Sequence, residues 1–200
     1  MKKKTLIMAL VVCLIAVVAI GGTLAYFTDN EEKVNTFTMG KVDITLTESK
    51  WEAPENTYPG IAYPKNPVVT NVGDDPAWIR VDITLSDAKA FMDAAAKHNI
   101  TDLSMIFAGH DESKWMLAGK NYDSTKNTLT YSYYYNTLLD PNKDTGEIFT
   151  SVKIPGAFNV ADMSAIGTDF TITVQAHAIQ TSDDYNTVEA AFAAYVFEAK

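Results

Sequence analysis

Ala77, Ile79, Val81, Ile83 and Leu85 alternate with Trp78, Arg80, Asp82 and Thr84 without a break. A helix repeats about every 3.6 residues, so strict alternation scatters apolar groups around it, whereas a strand collects them on one face. This stretch therefore requires a sheet with one side buried. Val42, Ile44 and Leu46 alternate in the same way with Asp43, Thr45 and Thr47, and Pro67 to Val72 gives a short strand that stops at Gly73. Tyr58-Pro59-Gly60 and Asp74-Asp75-Pro76 are turns.

Further along, Trp115 to Ala118, Leu129 to Tyr135 and Ile148 to Ile154 continue the strand pattern, with Asn121 to Asn127 and Pro141 to Gly146 as polar loops. Tyr131, Tyr133, Tyr134 and Tyr135 crowd one strand and are expected to pack in the core and on its faces. In Asp169 to Gln180 the residues Phe170, Ile172, Val174, Ala176 and Ala178 share a face. Two stretches break the rule of two. Ser86 reads as an N-cap ahead of a helix that shows Ala88, Phe91, Ala95 and Ile100 on one face, and Thr187 to Ala199 reads as a closing helix. The expected fold is mainly β, an antiparallel jelly roll or β-sandwich with one inserted helix and a C-terminal helix, preceded by a signal-peptide helix.

Composition narrows the function. With 47% apolar and 20% charged residues the chain is neither disordered nor polytopic. Net charge is −9, and Lys2, Lys3 and Lys4 are the only basic cluster, so no nucleic-acid partner is expected.

Those lysines open an export signal. An uncharged apolar run from Leu6 to Ile20 follows them, then Gly21, Gly22, Thr23, Leu24 and Ala25. Small side chains at Thr23 and Ala25 suit a signal peptidase cutting before Tyr26. An uncleaved membrane anchor is the alternative, because no charge appears between Thr5 and Thr28. Membrane contact is otherwise expected only before cleavage. Cys13, the one cysteine, lies within the apolar run, so the mature chain has no disulfide and no cysteine-ligated metal. Acylation at Cys13 is disfavoured by bulky Val11 and Val12 before it. The layout is then residues 1–25 as signal, 26–37 as an N-terminal extension and 38–200 as the domain.

Gly21 to Leu46, reading GGTLAYFTDNEEKVNTFTMGKVDITL, resembles the opening of the TasA/camelysin family of exported proteins. Its parts are a Gly-Gly with T-x-A, an aromatic pair ending in Phe27, then Asn35-Thr36-Phe37, and a Gly before the alternating V-D-I-T-L strand. Tyr58-Pro59-Gly60, Val68 to Asn71, Ala77 to Leu85 and Phe170 to Gln180 are similar to later strands and turns of the family. The resemblance implies processing by a signal peptidase of the SipW type, a jelly-roll domain, and self-association into extracellular matrix fibres of biofilms. It further implies that the freed N-terminal stretch adds as a strand to the next subunit, with Tyr26, Phe27, Val34 and Phe37 as anchors; Asp29, Glu31 and Glu32 interrupt its alternation and would need to face water, and a disordered acidic linker between signal and domain is the alternative.

Camelysin-like proteins are also classed as metallopeptidases, an activity that would need metal ligands. His98, His110 and His177 are the only histidines, and none opens an H-E-x-x-H. His110 with Asp111 and Glu112 could join a site assembled in space, although an exposed loop is the expected setting. His177 is expected on the surface. Asp140, Asn142, Asp144 and Glu147 are spaced like oxygen ligands of calcium, but Gly146 falls one place late and Ser151 stands where a glutamate is needed, which favours a plain hairpin loop. No cofactor is expected. The leading expectation is a non-catalytic structural subunit; a camelysin-type metallopeptidase and a monomeric surface-binding module are the alternatives.

Overall fold

The computed structural model describes residues 42–167 and 169–194. Its strands form three sheets, all antiparallel in their pairings. β1 (Ile44–Glu48), β3 (Pro67–Asn71) and β8 (Asp144–Glu147) make the first, in the order β1-β3-β8. β2 (Ala62–Pro64), β9 (Ser151–Lys153) and β5 (Phe107–Ala108) make a small second sheet, ordered β2-β9-β5.

The third is the largest. β4 (Ala77–Leu85) lies between β10 (Ile172–Gln180) and β7 (Thr128–Tyr135), and β6 (Trp115–Asp123) closes the order β10-β4-β7-β6. Central placement of β4 follows from its sequence, since Ala77, Ile79, Val81, Ile83 and Leu85 are all essentially inaccessible. Tyr131 and Tyr133 face the same core, opposite Ile83 and Val81 in register. The tyrosine-rich strand is thus core packing on its inner face.

Among the described residues three α-helices flank the sheets. α1 (Ala88–Lys97) buries Ala88, Phe91, Ala94 and Ala95 against the main core. Ser86 is not its cap. The N-cap is Asp87, held at φ 52° with no side-chain cap bond, and Asn127 of the β6–β7 turn replaces it from across the structure. The Asn127 carbonyl accepts from Ala88 N at 3.1 Å and its Oδ1 accepts from Lys89 N at 2.9 Å. Ser86 Oγ instead accepts from Thr171 N at 2.7 Å, tying the strand end to the start of β10.

α2 (Val160–Ile166) was not expected from periodicity; Asn159 and Asp162 form a capping box at its start. α3 (Val188–Ala194) agrees with the closing helix where it is described, and residues 195–199 of that expectation lie outside the described residues.

Two loop assignments are corrected. Pro141 to Gly146 is not all loop, because β8 begins at Asp144 and buried Thr145 accepts from Val69 N at 3.2 Å through its hydroxyl. Ile148 to Ile154 is not one strand either. Ile148 and Phe149 are consecutive and both fully buried, which a flat strand with alternating faces does not allow, so the chain bends there and resumes as β9. β6 also runs further than Ala118, to Asp123, whose carboxylate accepts from Thr125 N and Lys126 N to shape the turn.

Candidate functional site

β6 is an edge strand of nine residues that is exposed from Met116 to Tyr122, and β7 is its one strand partner among the described residues. Met116, Leu117 and Tyr122 on it are among the large apolar side chains that remain accessible, Leu117 at 49%. An open edge offers unpaired N–H and C=O groups to another strand, and folded proteins restrain such edges with bulges and lysines. Both restraints occur here. The register slips between Leu117 and Gly119, and Lys120 lies over the Tyr131 ring at 5.3 Å, with Asp102 at 3.9 Å.

A second feature lies between the small sheet and β10. A cleft of about 350 Å³ is walled by Trp51, Tyr63, Val152, Ile154 and Ile172, with Lys65 among them. Lys65 is only 4% exposed. Its ammonium is 2.6 Å from the Glu48 carboxylate and 4.5 Å from the centre of the Trp51 ring. An apolar cleft with one fixed polar group suits an apolar side chain carried on a polar backbone.

The three histidines occupy three separate places. His98 Nε2 is 2.7 Å from Asp162, whose carboxylate also accepts from Asn159 N at 3.0 Å and from Lys97 at 3.2 Å. The Asn159 backbone bond, together with His98 and Lys97, brings the Asp162 carboxyl down to about 2. This carboxylate, 1% exposed, joins the end of α1 to the start of α2. His98 also stacks on Phe158 at 5.8 Å.

His177 lies on the outer face of β10 as expected, but it is half-buried and not a free surface residue, with Nε2 3.2 Å from Asp82. Arg80 holds the same carboxylate at 2.8 Å. Burial of Asp82 opposes its ionisation, yet hydrogen bonds from His177, Arg80 and Ser132 outweigh that and bring the carboxyl down to about 2. His110 is likewise half-buried instead of exposed: Nδ1 is 3.0 Å from the Ile148 carbonyl and the ring packs on Tyr133 at 4.6 Å.

Asp140 and Asn142 are exposed on the β7–β8 connection, and Asp144 is exposed at the start of β8. Asp144 accepts from Gly146 N at 2.8 Å, and Asn142 takes a positive φ of 59°. These are turn roles. Among the described residues no three His, Cys, Asp or Glu side chains gather as ligands of a metal ion, so His110, Asp140, Asn142 and Asp144 are not brought together as one. Thr23, Ala25, Tyr26, Phe27, Val34 and Phe37 lie outside the described residues. No helix among the described residues is long and apolar enough to cross a membrane.

Sequence reasoning missed Lys65 and Trp51, which carry no motif. It missed the Asp162–His98 pair too, although Asn159-x-x-Asp162 is a legible capping signature.

No curated protein and no solved structure gives a match. The family described as camelysin metallo-endopeptidase matches residues 1–114 of the 200. That span runs from the first residue through β1 to β5, and because it covers more than half of the sequence, the chain belongs to the camelysin family.

Proposed function

We propose that the protein is an exported, non-catalytic structural subunit of the cell surface or extracellular matrix, which assembles into fibres by adding its N-terminal stretch to a sheet edge of the next copy. A SipW-type signal peptidase frees that stretch by cutting between Ala25 and Tyr26. The observation that supports this reading best is β6, long, exposed and partnered on one side only among the described residues. Strand addition uses main-chain bonds for affinity and alternate side chains for specificity. Each net hydrogen bond contributes about 1 kcal/mol and each buried anchor about 1.5 to 3 kcal/mol, so five bonds and three anchors contribute about 10 to 14 kcal/mol, which the cost of ordering the tail reduces. Asp29, Glu31 and Glu32 interrupt the alternation of the added stretch and face water in this arrangement.

The test is to prepare residues 26–200 with Tyr26 as a free N-terminus and follow sedimentation and negative-stain images. Filaments that fail to form when Phe27 or Phe37 is replaced by Asp support the reading. A persistent monomer refutes unaided assembly and favours a surface-binding module. The second reading, a secreted metallopeptidase, rests on the family's description. It is separated by a chelator, which abolishes proteolysis in that case and leaves filament formation untouched in the first.

A further inference from the structure

Asn66 has an unusual setting for a carboxamide at a strand entrance. It is 4% exposed, and both polar atoms of its side chain are committed. Oδ1 accepts from the backbone N–H of Lys50 at 2.7 Å, while Nδ2 donates to Ser49 Oγ at 3.2 Å and to Glu147 Oε1 at 3.3 Å. The side chain of Lys50 reaches the same oxygen of Glu147. Two nitrogens sharing one oxygen acceptor lie within about 6 Å of each other. An amine, a carboxylate and a buried carboxamide are therefore gathered where β1 ends, β3 begins and β8 ends.

We propose that Lys50 and Asn66 become joined by an isopeptide bond, with Glu147 as the catalytic acid and base. Glu147 takes a proton from the Lys50 ammonium, and the neutral Nζ attacks Cγ of Asn66. Negative charge that develops on Oδ1 is met by the Lys50 N–H already pointing at it, the role of an oxyanion donor. Glu147 then returns its proton to Nδ2, the Cγ–Nδ2 bond breaks and ammonia leaves; the second proton of Nζ passes through Glu147 to that ammonia, which departs as ammonium. One C–N bond replaces another, total charge is unchanged, and nothing is oxidised or reduced. Glu147 is held ionised by its bond to Lys50, below the ordinary range of a glutamate, so it starts the sequence as the base.

The usual route by which asparagine loses ammonia is closed at this residue. Cyclisation needs a hydrogen on the next backbone nitrogen, and the next residue is Pro67. Loss of ammonia at Asn66 thus identifies attack from a side chain. The product covalently clasps the exit of β1 to the entrance of β3, two strands already paired from Ile44↔Asn71 to Glu48↔Pro67. The inference is independent of assembly into fibres, since it concerns a single copy.

The test is intact-mass and fragment mass spectrometry of the full chain, before and after incubation at mildly alkaline pH. The expected result is a population lighter by one ammonia, with a branched peptide joining Lys50 to Asn66. Lys50→Arg and Glu147→Gln should keep the full sequence mass while circular dichroism shows the wild-type fold. A wild-type chain that retains its full mass after incubation overturns the proposal. So does an ammonia loss that persists in Lys50→Arg.

Discussion

Replacing Asp82 by asparagine tests whether the outer face of the large sheet is held electrostatically. Asp82 is 13% exposed, and Arg80, His177 and Ser132 bring its carboxyl from 3.8 to about 2. A carboxyl that gives up its proton tenfold more readily in the folded chain stabilises the fold by about 1.4 kcal/mol, so the drop at Asp82 amounts to about 2 kcal/mol. The folded value is depressed, so this stability is present above the unfolded value and is lost as pH falls through the folded one. The window runs from about 4 down to about 2. In urea, a domain of this size loses about 2 kcal/mol per molar, so Asp82→Asn should lower the midpoint by about 1 M at neutral pH. Titrating both proteins toward acid cancels every carboxylate they share, and the two midpoints should converge across that window. An equal midpoint at neutral pH, or an offset that stays constant down to the folded value, refutes the reasoning.

Phe91 is fully buried with its ring edge-on to Phe170 at 5.2 Å, so Phe91→Ala should cost about 3 to 5 kcal/mol in chemical denaturation. Gly109 sits at φ +76° and an added Cβ would meet Thr150 Oγ1 at 2.2 Å; Gly109→Ala should lower the melting temperature by several degrees, and more than Gly119→Ala, where the space is open. Leu117→Asp, on the exposed edge, should slow filament growth in sedimentation while leaving the melting temperature within about 2 °C of the parent.

What could be read from the sequence followed burial. Ala77–Leu85 was legible because it lies between two neighbours with a packed inner face, and packing of that kind enforces strict alternation. The inner face of Leu129 to Tyr135 was legible for the same reason. Ile148 and Phe149 misled because two adjacent apolar residues look like a strand, while the real constraint is a bend that buries both. Ser86 misled because the groups that complete the start of α1 come from Asn127, 38 positions from Lys89, and local chemistry has no view of that. β2 and β5 hold three and two residues, too few to show a period. Among site residues, Lys50 and Glu147 are 97 positions apart, so their meeting is a property of the β1-β3-β8 sheet and not of any motif.

The two apolar clusters explain how one sheet serves two purposes. The inner face of β4 joins the main core, while Trp78 turns outward into a separate cluster with Ile179, Val188, Ala191 and Phe192. α3 thereby covers only one end of the outer face, and Tyr134 stacks on Phe192 at 5.4 Å as its boundary. Beyond that boundary the outward residues of β4 and β7 are Asp82, Ser132, Thr84 and Thr130, short and polar, with Thr84 and Thr130 sharing a hydroxyl contact at 2.9 Å. A satellite cluster of this size contributes far less burial than the main core, so stability is concentrated on the inner side of the sheet. Trp115 at the start of β6 belongs to the main core, whereas the exposed Met116, Leu117 and Tyr122 add little to the stability of the isolated domain. That leaves β6 able to present Met116, Leu117 and Tyr122 to another strand without cost to the fold that carries them.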